Sequence, residues 1–284
     1  MSQYFPGICT EFKDFNLTYD EDGNPNIEDC QKHYFPGYYL TPESMSLFER
    51  LYSNESGGLQ DKFVAFWKAV ATRFANNTYV LGYDPINEPF PSNMYTDPSI
   101  VYEPGRFDRY TLQPMYKRIF QEAYLEAGDM SKAMYFEPSQ FPDFYGMYGG
   151  IIFNVGFSEL PGGADHASMH VLNDHTYCCE VSGEMCLNGG EPPLDQAETC
   201  RDFHRRRLST RKDDALRFNT PLIISEFGAC TGSEACIMEI TAVTDACDDH
   251  LVGWAYWQLK EFGDFTTTIG NGSEGFYFSN GTLQ

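Results

Sequence analysis

The chain has 284 residues, of which 42% are hydrophobic and 16% aromatic, so it is not an intrinsically disordered protein and has enough residues for a sizeable core. Its 41 acidic residues exceed its 19 basic ones, and the net charge of −22 disfavours partnership with nucleic acid or anionic membranes. No apolar run is long enough to span a bilayer, so stable membrane insertion is not predicted. The numbers leave the oligomeric state open.

Nine cysteines without a C-x-x-C pair favour disulfides over a zinc site. Local spacing predicts two bridges, one joining Cys178 or Cys179 to Cys186 or Cys200, the other joining Cys230 to Cys236 or Cys247. N-x-[ST] sequons begin at Asn16, Asn54, Asn76, Asn271 and Asn280. Cysteines and sequons together predict a glycoprotein that is secreted or lies in a lysosomal or endomembrane lumen. The residues that follow Met1 do not form a signal peptide.

The first part of the chain predicts a loop followed by two helices. Residues 1–40 are rich in Pro, Gly and aromatic residues and predict a long loop. Residues 41–54 predict a helix, and Asp61 is expected to cap a second helix that continues to 76. The second helix carries an apolar stripe that predicts core packing, formed by Phe63, Phe66, Trp67, Val70 and Phe74.

Strands and helices alternate over the rest of the chain. Strands are predicted near 79–86, 133–137, 169–175, 222–226 and 252–257, with Val80, Leu81 and Tyr83 buried in the first. Helices are predicted near 111–127, 195–217 and 233–249. This alternation is typical of an α/β fold in which parallel strands are joined by helical crossovers.

Two glutamates each follow a predicted strand. Glu88 lies in "GYDPINEP", where two prolines fix the backbone around it, and Glu226 ends "LIISE". In a (β/α) barrel the carboxyl ends of all strands lie on one face, so both side chains are expected there. A facing pair of carboxyl groups is what cleavage of a glycosidic bond requires. Glu137, in "FEPS", also ends a strand and is a rival for the role of acid.

Four neighbouring residues complete the predicted site. Asn87 is expected to bind a sugar hydroxyl, His175 and Tyr177 to orient the nucleophile, and Trp257 to stack on a sugar ring. The plainer alternatives are a capping or ion-paired role for a strand-end glutamate and a core role for tryptophan. His166 and His170 have i, i+4 spacing without a following Glu motif, so no metal is predicted, and the chemistry needs no cofactor.

These residues resemble the glycoside hydrolases of clan A, family five. "INEP" resembles the acid/base signature of that family and "ISEFG" its nucleophile signature, which implies that Glu88 is the acid/base and Glu226 the nucleophile. Asn87, His175, Tyr177 and Trp257 match the surrounding positions. The segments "LGYDPINEP", "FEPS", "LPGG", "DHTYC" and "GWAYWQLK" are most similar to endoglycoceramidases and related glycolipid glycosidases.

The resemblance implies a (β/α)8 TIM barrel that is incomplete. About 78 residues precede the strand matching strand four, whereas three strand–helix units need roughly 30 residues each. We therefore expect residues 1–284 to form a partial barrel catalytic domain with about strands four to eight, without the N-terminal strands and any C-terminal β-sandwich. The five strands are expected to form an open arc.

The expected activity is that of a retaining glycosidase acting on a glycolipid or oligosaccharide, with the β-glycosidic bond of a glycosphingolipid as the preferred substrate. An endo-β-glucanase acting on polysaccharide is one alternative. A truncated fragment that binds carbohydrate without catalysis is the other.

Overall fold

The computed structural model of the protein describes residues 14–30, 32–33, 35–55, 57–128, 130–139, 151–178, 192–228, 232–259, 268–269, 272–273, 275–278 and 280–283. Four helices precede the first strand: α1 (Ile27–Cys30), α2 (Phe35–Tyr39), α3 (Pro42–Ser53) and α4 (Leu59–Phe74). The helix predicted over 41–54 is therefore confirmed, and Thr41 caps it by accepting a hydrogen bond from the Ser44 amide.

A five-stranded parallel sheet forms the centre of the fold. Its strands are β1 (Gly82–Tyr83), β2 (Ala133–Phe136), β3 (His170–His175), β4 (Leu222–Glu226) and β5 (Gly253–Trp254). The strands pair in chain order, and all four pairings are parallel. All carboxyl ends therefore lie at one edge of the sheet. A two-stranded antiparallel ribbon of β6 (Thr268–Ile269) and β7 (Gly272–Ser273) follows.

Helices occupy the crossovers between the strands. After β1 come α5 (Ser99–Tyr102) and a long helix α6 (residues 108–127), which contains π-helical turns at Asp108–Leu112 and Phe120–Tyr124 and ends at Gly128. A 3₁₀ segment (Ala164–Met169) precedes β3, and another (Leu194–Gln196) leads into α7 (Ala197–Phe218). Helix α8 (Glu234–His250) joins β4 to β5. The predicted partial barrel is thus confirmed as a parallel sheet with helical crossovers, and among the described strands β1 and β5 do not close on each other.

The first strand is shorter and more exposed than its sequence predicted. Only Gly82 and Tyr83 pair with β2, and Leu81 is 76% exposed, so the prediction of a buried Leu81 was wrong. Strand β1 is the edge of the sheet, with β2 as its one neighbour among the described strands. Gly82 allows the close approach of that neighbour, because a Cβ atom there would lie 2.1 Å from the carbonyl oxygen of Ala133.

The apolar stripe predicted for helix α4 packs on the core in part. The helix begins after Gly58, so Asp61 lies in the first turn and pairs with Arg118 instead of capping the helix. Phe63, Trp67 and Val70 pack against the core as predicted, on the side of the helix where Val64 and Ala71 are buried. Phe66 and Phe74 are 57% and 37% exposed, so the prediction was wrong for these two.

A buried ionic network fixes β3 to α7. Asp174, one residue before the end of β3, accepts two hydrogen bonds of 2.9 Å from Arg207 and one of 2.9 Å from Arg211. All three side chains are at most 2% exposed. Burial alone would raise the pKa of Asp174, but the charges of Arg207 and Arg211 outweigh it and lower that pKa below its ordinary value.

One predicted disulfide is present between Cys178 and Cys200, with a Cα–Cα distance of 5.2 Å. It connects the segment after β3 to the first turn of α7. Cys236 is also disulfide-bonded. Cys247 is a free buried thiol, so the alternative bridge from Cys230 to Cys247 was wrong. The remaining candidates, Cys179, Cys186 and Cys230, lie outside the described residues. None of the described helices has the length and apolar character needed to cross a bilayer.

We expect Asp174→Asn to lower the free energy of unfolding by about 3–5 kcal/mol at pH 7, because two buried guanidinium groups lose their counter-charge. The lowered pKa means that this stabilisation is present above the unfolded-state value of about 3.9 and is lost as pH falls through the folded-state value. The difference between variant and wild type should therefore shrink in strongly acidic solution. Urea denaturation of both proteins at several pH values measures this difference in the free energy of unfolding.

Asp213→Asn is the matched control, since Asp213 is an exposed carboxylate on α7, the helix that carries Arg207 and Arg211. An equal loss in both variants would contradict the role assigned to the Asp174 network.

Candidate active site

Glu88 lies on the loop that follows β1, with its side chain 29% exposed. Its backbone φ is +42°, in the left-handed region that non-glycine residues rarely adopt. Before it, the carbonyl oxygen of Pro85 accepts a 3.1 Å hydrogen bond from the Trp67 indole, which ties the loop to α4. Unusual backbone geometry of this kind is concentrated at functional sites, where surrounding contacts enforce it.

Glu226 ends β4 and lies beside His175, which ends β3. The register between these strands shifts between Asp174 and His175, so His175 pairs with Glu226. A bulge of this kind re-aims a side chain at the end of a strand. Both strand-end residues predicted for the site are thereby brought together.

His175 connects the two glutamates. Its Nδ1 lies 2.8 Å from Glu88 Oε1 and 3.6 Å from Glu226 Oε2, and its Nε2 lies 3.1 Å from Ser225 Oγ. Burial alone would lower the pKa of His175, but the surrounding acidic groups, Glu137 above all and then Glu88 and Glu226, raise it to about 10. The imidazolium form donates from both ring nitrogens, which suits these partners.

The two strand-end glutamates are close enough to act on one substrate atom. One carboxyl oxygen of Glu88, one of Glu226 and a ring nitrogen of His175 all lie within 4.8 Å of one another. The Tyr177 hydroxyl donates a 2.7 Å hydrogen bond to Glu226 Oε1. Burial raises the pKa of Glu226 and the Glu88 charge adds to this effect, while His175 and the Tyr177 hydrogen bond oppose it.

A second, fully buried layer of polar groups lies beneath this surface. Glu137, at the end of β2, is 0% exposed, and its Oε2 accepts a 2.9 Å hydrogen bond from the backbone N–H of Glu88. Asn173 Nδ2 donates to Asp84 Oδ2 at 2.7 Å and to Glu137 Oε1 at 3.3 Å. The rival acid of the sequence analysis is thus shielded from solvent, while Glu88 is partly exposed beside His175.

The other two predicted residues lie at the same edge but outside this cluster. Trp257 follows β5, is 40% exposed and pairs with Gly228 just beyond Glu226. The peptide bond from Trp257 to Gln258 is cis. Asn87 is exposed next to Glu88, and its side chain makes no hydrogen bond to the described site residues. Both positions leave the side chains accessible to a ligand.

Four residues of the site were missed by sequence reasoning: Asp84, Asn173, Ser225 and Tyr39. Burial and the charges of Glu88 and Glu226 raise the pKa of Tyr39, which lies in the segment predicted to be a loop. Asp84 does carry a signal, because it is a polar residue directly after β1, whereas Asn173 lies inside β3, two residues before its end. That signal became useful only once the strand pairing was known.

Within the part of the chain that the structure describes, two groups of side chains have the composition of a metal site. One is Glu88, His175 and Glu226, and the other is Cys178, Cys200 and Glu239, each with ligand atoms within 4.8 Å of one another. In the first, His175 is hydrogen-bonded to Glu88. In the second, the two sulfur atoms form a disulfide, so they are not thiolate ligands.

Comparison with known proteins extends over nearly the whole chain. It is 30% identical over 259 residues to an endoglycoceramidase of Hydra vulgaris, covering 91% of this chain and 43% of that protein. It is 28% identical over 265 residues to an endoglycoceramidase of Cyanea nozakii, covering 93% of this chain and 46% of that protein. The chain is endoglycoceramidase-like. It spans less than half the length of these curated relatives, and no protein-family model matches it.

The endoglycoceramidase-like chain also has the fold of a solved glycosidase. Endo-glycoceramidase II from Rhodococcus sp. in a complex with ganglioside GM3 superimposes with a TM-score of 0.65 at 20% identity, over 95% of this chain and 51% of that chain. The lactosyl-enzyme intermediate of the same enzyme gives a TM-score of 0.63 at 21% identity, over 95% and 51% of the two chains. At this identity the similarity establishes the fold, and it confirms the predicted partial (β/α)8 barrel.

We expect Tyr177→Phe to raise the pKa of Glu226, because the variant removes a hydrogen bond that favours the ionised carboxylate. The pH titration of the Glu226 carboxyl carbon by ¹³C NMR measures this directly and requires no substrate.

Tyr95→Phe is the control, since the Tyr95 hydroxyl donates to the carbonyl oxygen of Leu40 instead of to a carboxylate. An unchanged titration of Glu226 in Tyr177→Phe would show that the hydroxyl does not influence the carboxylate.

Proposed function

We propose that the protein containing this chain is a retaining glycosidase that cleaves the β-glycosidic bond between the sugar and the ceramide of a glycosphingolipid. The observation that carries the proposal is that one carboxyl oxygen of Glu88 and one of Glu226 lie within 4.8 Å of each other at the carboxyl edge of a parallel sheet. Retaining glycosidases hold their two carboxyl groups about 5–5.5 Å apart, whereas inverting enzymes need about 6.5–9.5 Å to admit a water molecule.

Glu226 and Glu88 have complementary roles in the proposed reaction. Glu226 attacks the anomeric carbon while Glu88 gives its proton to the departing glycosidic oxygen, which releases the alcohol and leaves a glycosyl ester on Glu226. Glu88, now ionised, removes a proton from water, and the water attacks the same carbon, so that the sugar is released and both carboxyl groups are restored. The Tyr177 hydrogen bond and the His175 charge favour the ionised form of Glu226 that the first step needs.

Trp257 and Asn87 are proposed to bind the sugar beside this pair. Both are exposed at the edge where the carboxyl groups lie. The indole offers an apolar face on which a sugar ring can stack, and the amide offers both a donor and an acceptor for a hydroxyl group. The similarity to proteins named endoglycoceramidase supports glycosphingolipid over polysaccharide as the substrate.

We also propose that the protein is a secreted or lumenal glycoprotein. The Cys178–Cys200 disulfide supports an oxidising compartment. Asn16, Asn76 and Asn280 begin sequons and are exposed, as an acceptor for a glycan must be. Protein from a secretory host whose mass does not fall on enzymatic deglycosylation would argue against the glycan.

The substrate is tested with the full natural protein, purified from a secretory host. We expect it to release an intact oligosaccharide and ceramide from a glycosylceramide in detergent, and to leave soluble β-glucan almost unchanged. Product chromatography distinguishes the two. Preferential cleavage of glucan would favour an endo-β-glucanase, and binding of sugar without turnover would indicate a non-catalytic carbohydrate-binding protein.

The roles of the two glutamates are separable by leaving group. Glu226→Gln should abolish turnover of every substrate, because the attacking carboxylate is gone. Glu88→Gln should reduce cleavage of glycosylceramide by about 10²–10⁴-fold, while the first step with a dinitrophenyl glycoside stays fast because that leaving group needs no proton. Pre-steady-state release of dinitrophenol measures the first step. If Glu88→Gln slowed both substrates equally, Glu88 would not be the proton donor.

A further inference from the structure

Glu137 takes no part in the proposed reaction, yet it contacts Glu88, which is the proposed proton donor. It is completely buried at the end of β2 and makes a 2.9 Å hydrogen bond to the backbone N–H of Glu88. Its main chain is fixed independently, because the Tyr116 hydroxyl donates to the Glu137 carbonyl at 3.1 Å and accepts from the Glu137 amide at 3.2 Å. Glu137 is therefore a rigid point to which the Glu88 loop is attached.

The contact falls where the backbone of that loop is least favourable. Glu88 has a φ of +42°, a strained conformation for a residue with a Cβ atom, which persists only where the surroundings enforce it. The Glu137 hydrogen bond is made by the amide of the strained residue itself. With that conformation, Glu88 Oε1 reaches His175 at 2.8 Å and the carboxyl group faces Glu226.

Glu137 is itself held by a side-chain contact. Asn173 Nδ2 donates to Glu137 Oε1 at 3.3 Å and to Asp84 Oδ2 at 2.7 Å, so one amide group ties the two carboxyl groups together. Burial raises the pKa of both Asp84 and Glu137.

We propose that Glu137 is a positioning residue for the proton donor: its buried carboxyl group, tied to Asp84 by Asn173, holds Glu88 in the left-handed backbone conformation that aims the Glu88 side chain at His175 and Glu226. This inference rests on the proposed function for its catalytic consequence. Glu137 contacts the main chain of the acid and not the substrate, so it acts through Glu88.

A residue that acts through the acid has a kinetic signature that a merely stabilising residue lacks. Misplacing a catalytic group by about 1 Å costs about 100-fold in rate. The loss should fall on substrates whose leaving group needs a proton and should spare those whose leaving group does not. General loosening of the fold would instead slow both kinds of substrate together.

The decisive comparison uses Glu137→Met and Glu137→Gln in the full natural protein. Methionine has a similar shape without an acceptor, so we expect about 100-fold slower cleavage of glycosylceramide with little change in the first step for a dinitrophenyl glycoside. Glutamine keeps an oxygen that can accept from the Glu88 amide, so the Glu137→Gln variant should remain within about threefold of wild type for both substrates. Equal losses on both substrates in Glu137→Met, or a glutamine variant as impaired as the methionine variant, would overturn the proposal.

Asp108→Asn is the matched control. Asp108 is also a buried carboxylate that accepts from main-chain amides, those of Ser139 and Gly156, each at 2.8 Å. The Asp108→Asn substitution should lower the melting temperature. The ratio of the rate on glycosylceramide to the rate on the dinitrophenyl glycoside should stay as in wild type. If Glu137→Met does not fold, Glu137→Asp takes its place, because its carboxyl group is withdrawn by one methylene from the Glu88 amide. We again expect slower cleavage of glycosylceramide with little change in the first step for the dinitrophenyl glycoside.

A crystal structure of the substituted protein separates this inference from the proposed function. Residue 88 should leave the left-handed region, and its carboxyl group should move away from His175. If residue 88 keeps its positive φ in both Glu137→Met and Glu137→Asp, the positioning role is wrong, whatever the enzyme does. If wild type cleaves neither substrate while residue 88 moves as expected, the positioning role stands and the proposed function fails.

Discussion

Three glutamates surround one imidazole at the carboxyl edge of the sheet, and the cost of bringing their charges together is the constraint under which the rest of the site is built. Glu88, Glu137 and Glu226 all lie within 3.6 Å of a ring nitrogen of His175, and Asn173 ties Asp84 to Glu137. A cluster of negative charges is costly in a medium of low polarity. The positive charge on His175 reduces that cost, and burial favours the neutral forms of Asp84, Glu137 and Glu226 by raising the pKa of each.

His175 can have this central place only if the end of β3 is immobile. Asp174, its neighbour, is anchored by Arg207 and Arg211 of α7, and the bulge after Asp174 turns the next side chain toward Glu226. Replacement of such a network by apolar residues often costs a protein nothing in stability. Its position beside His175 accounts better for the ion pairs, because a bidentate arginine fixes direction as well as distance.

Much of this organisation was predictable from the sequence, and the parts that were not share a cause. The five strands, their parallel order, the helix over 41–54 and the placement of Glu88, His175, Tyr177 and Glu226 follow from apolar runs that stop at polar residues. The exposure of Phe66, Phe74 and Leu81 does not follow from such runs, because periodicity identifies an apolar side without saying which neighbour covers it. Asp84 and Asn173 were missed because their importance lies in pairing across strands that are distant in sequence. The left-handed φ of Glu88 is not encoded by any local glycine or asparagine preference at that position; it follows from a tertiary hydrogen bond.

The disulfide between Cys178 and Cys200 follows directly after Tyr177, the residue whose hydroxyl meets Glu226. Closing a loop with a sequence separation of 22 restricts the unfolded chain and is expected to stabilise the native state by roughly 3 kcal/mol. The same bond keeps the end of the tyrosine segment against the start of α7. Reduction of the disulfide would therefore weaken more than the fold, because it would also free the segment that carries Tyr177, whose hydroxyl donates to Glu226. In this protein the electrostatics of the site are coupled to the redox state of its surroundings through a single covalent tether.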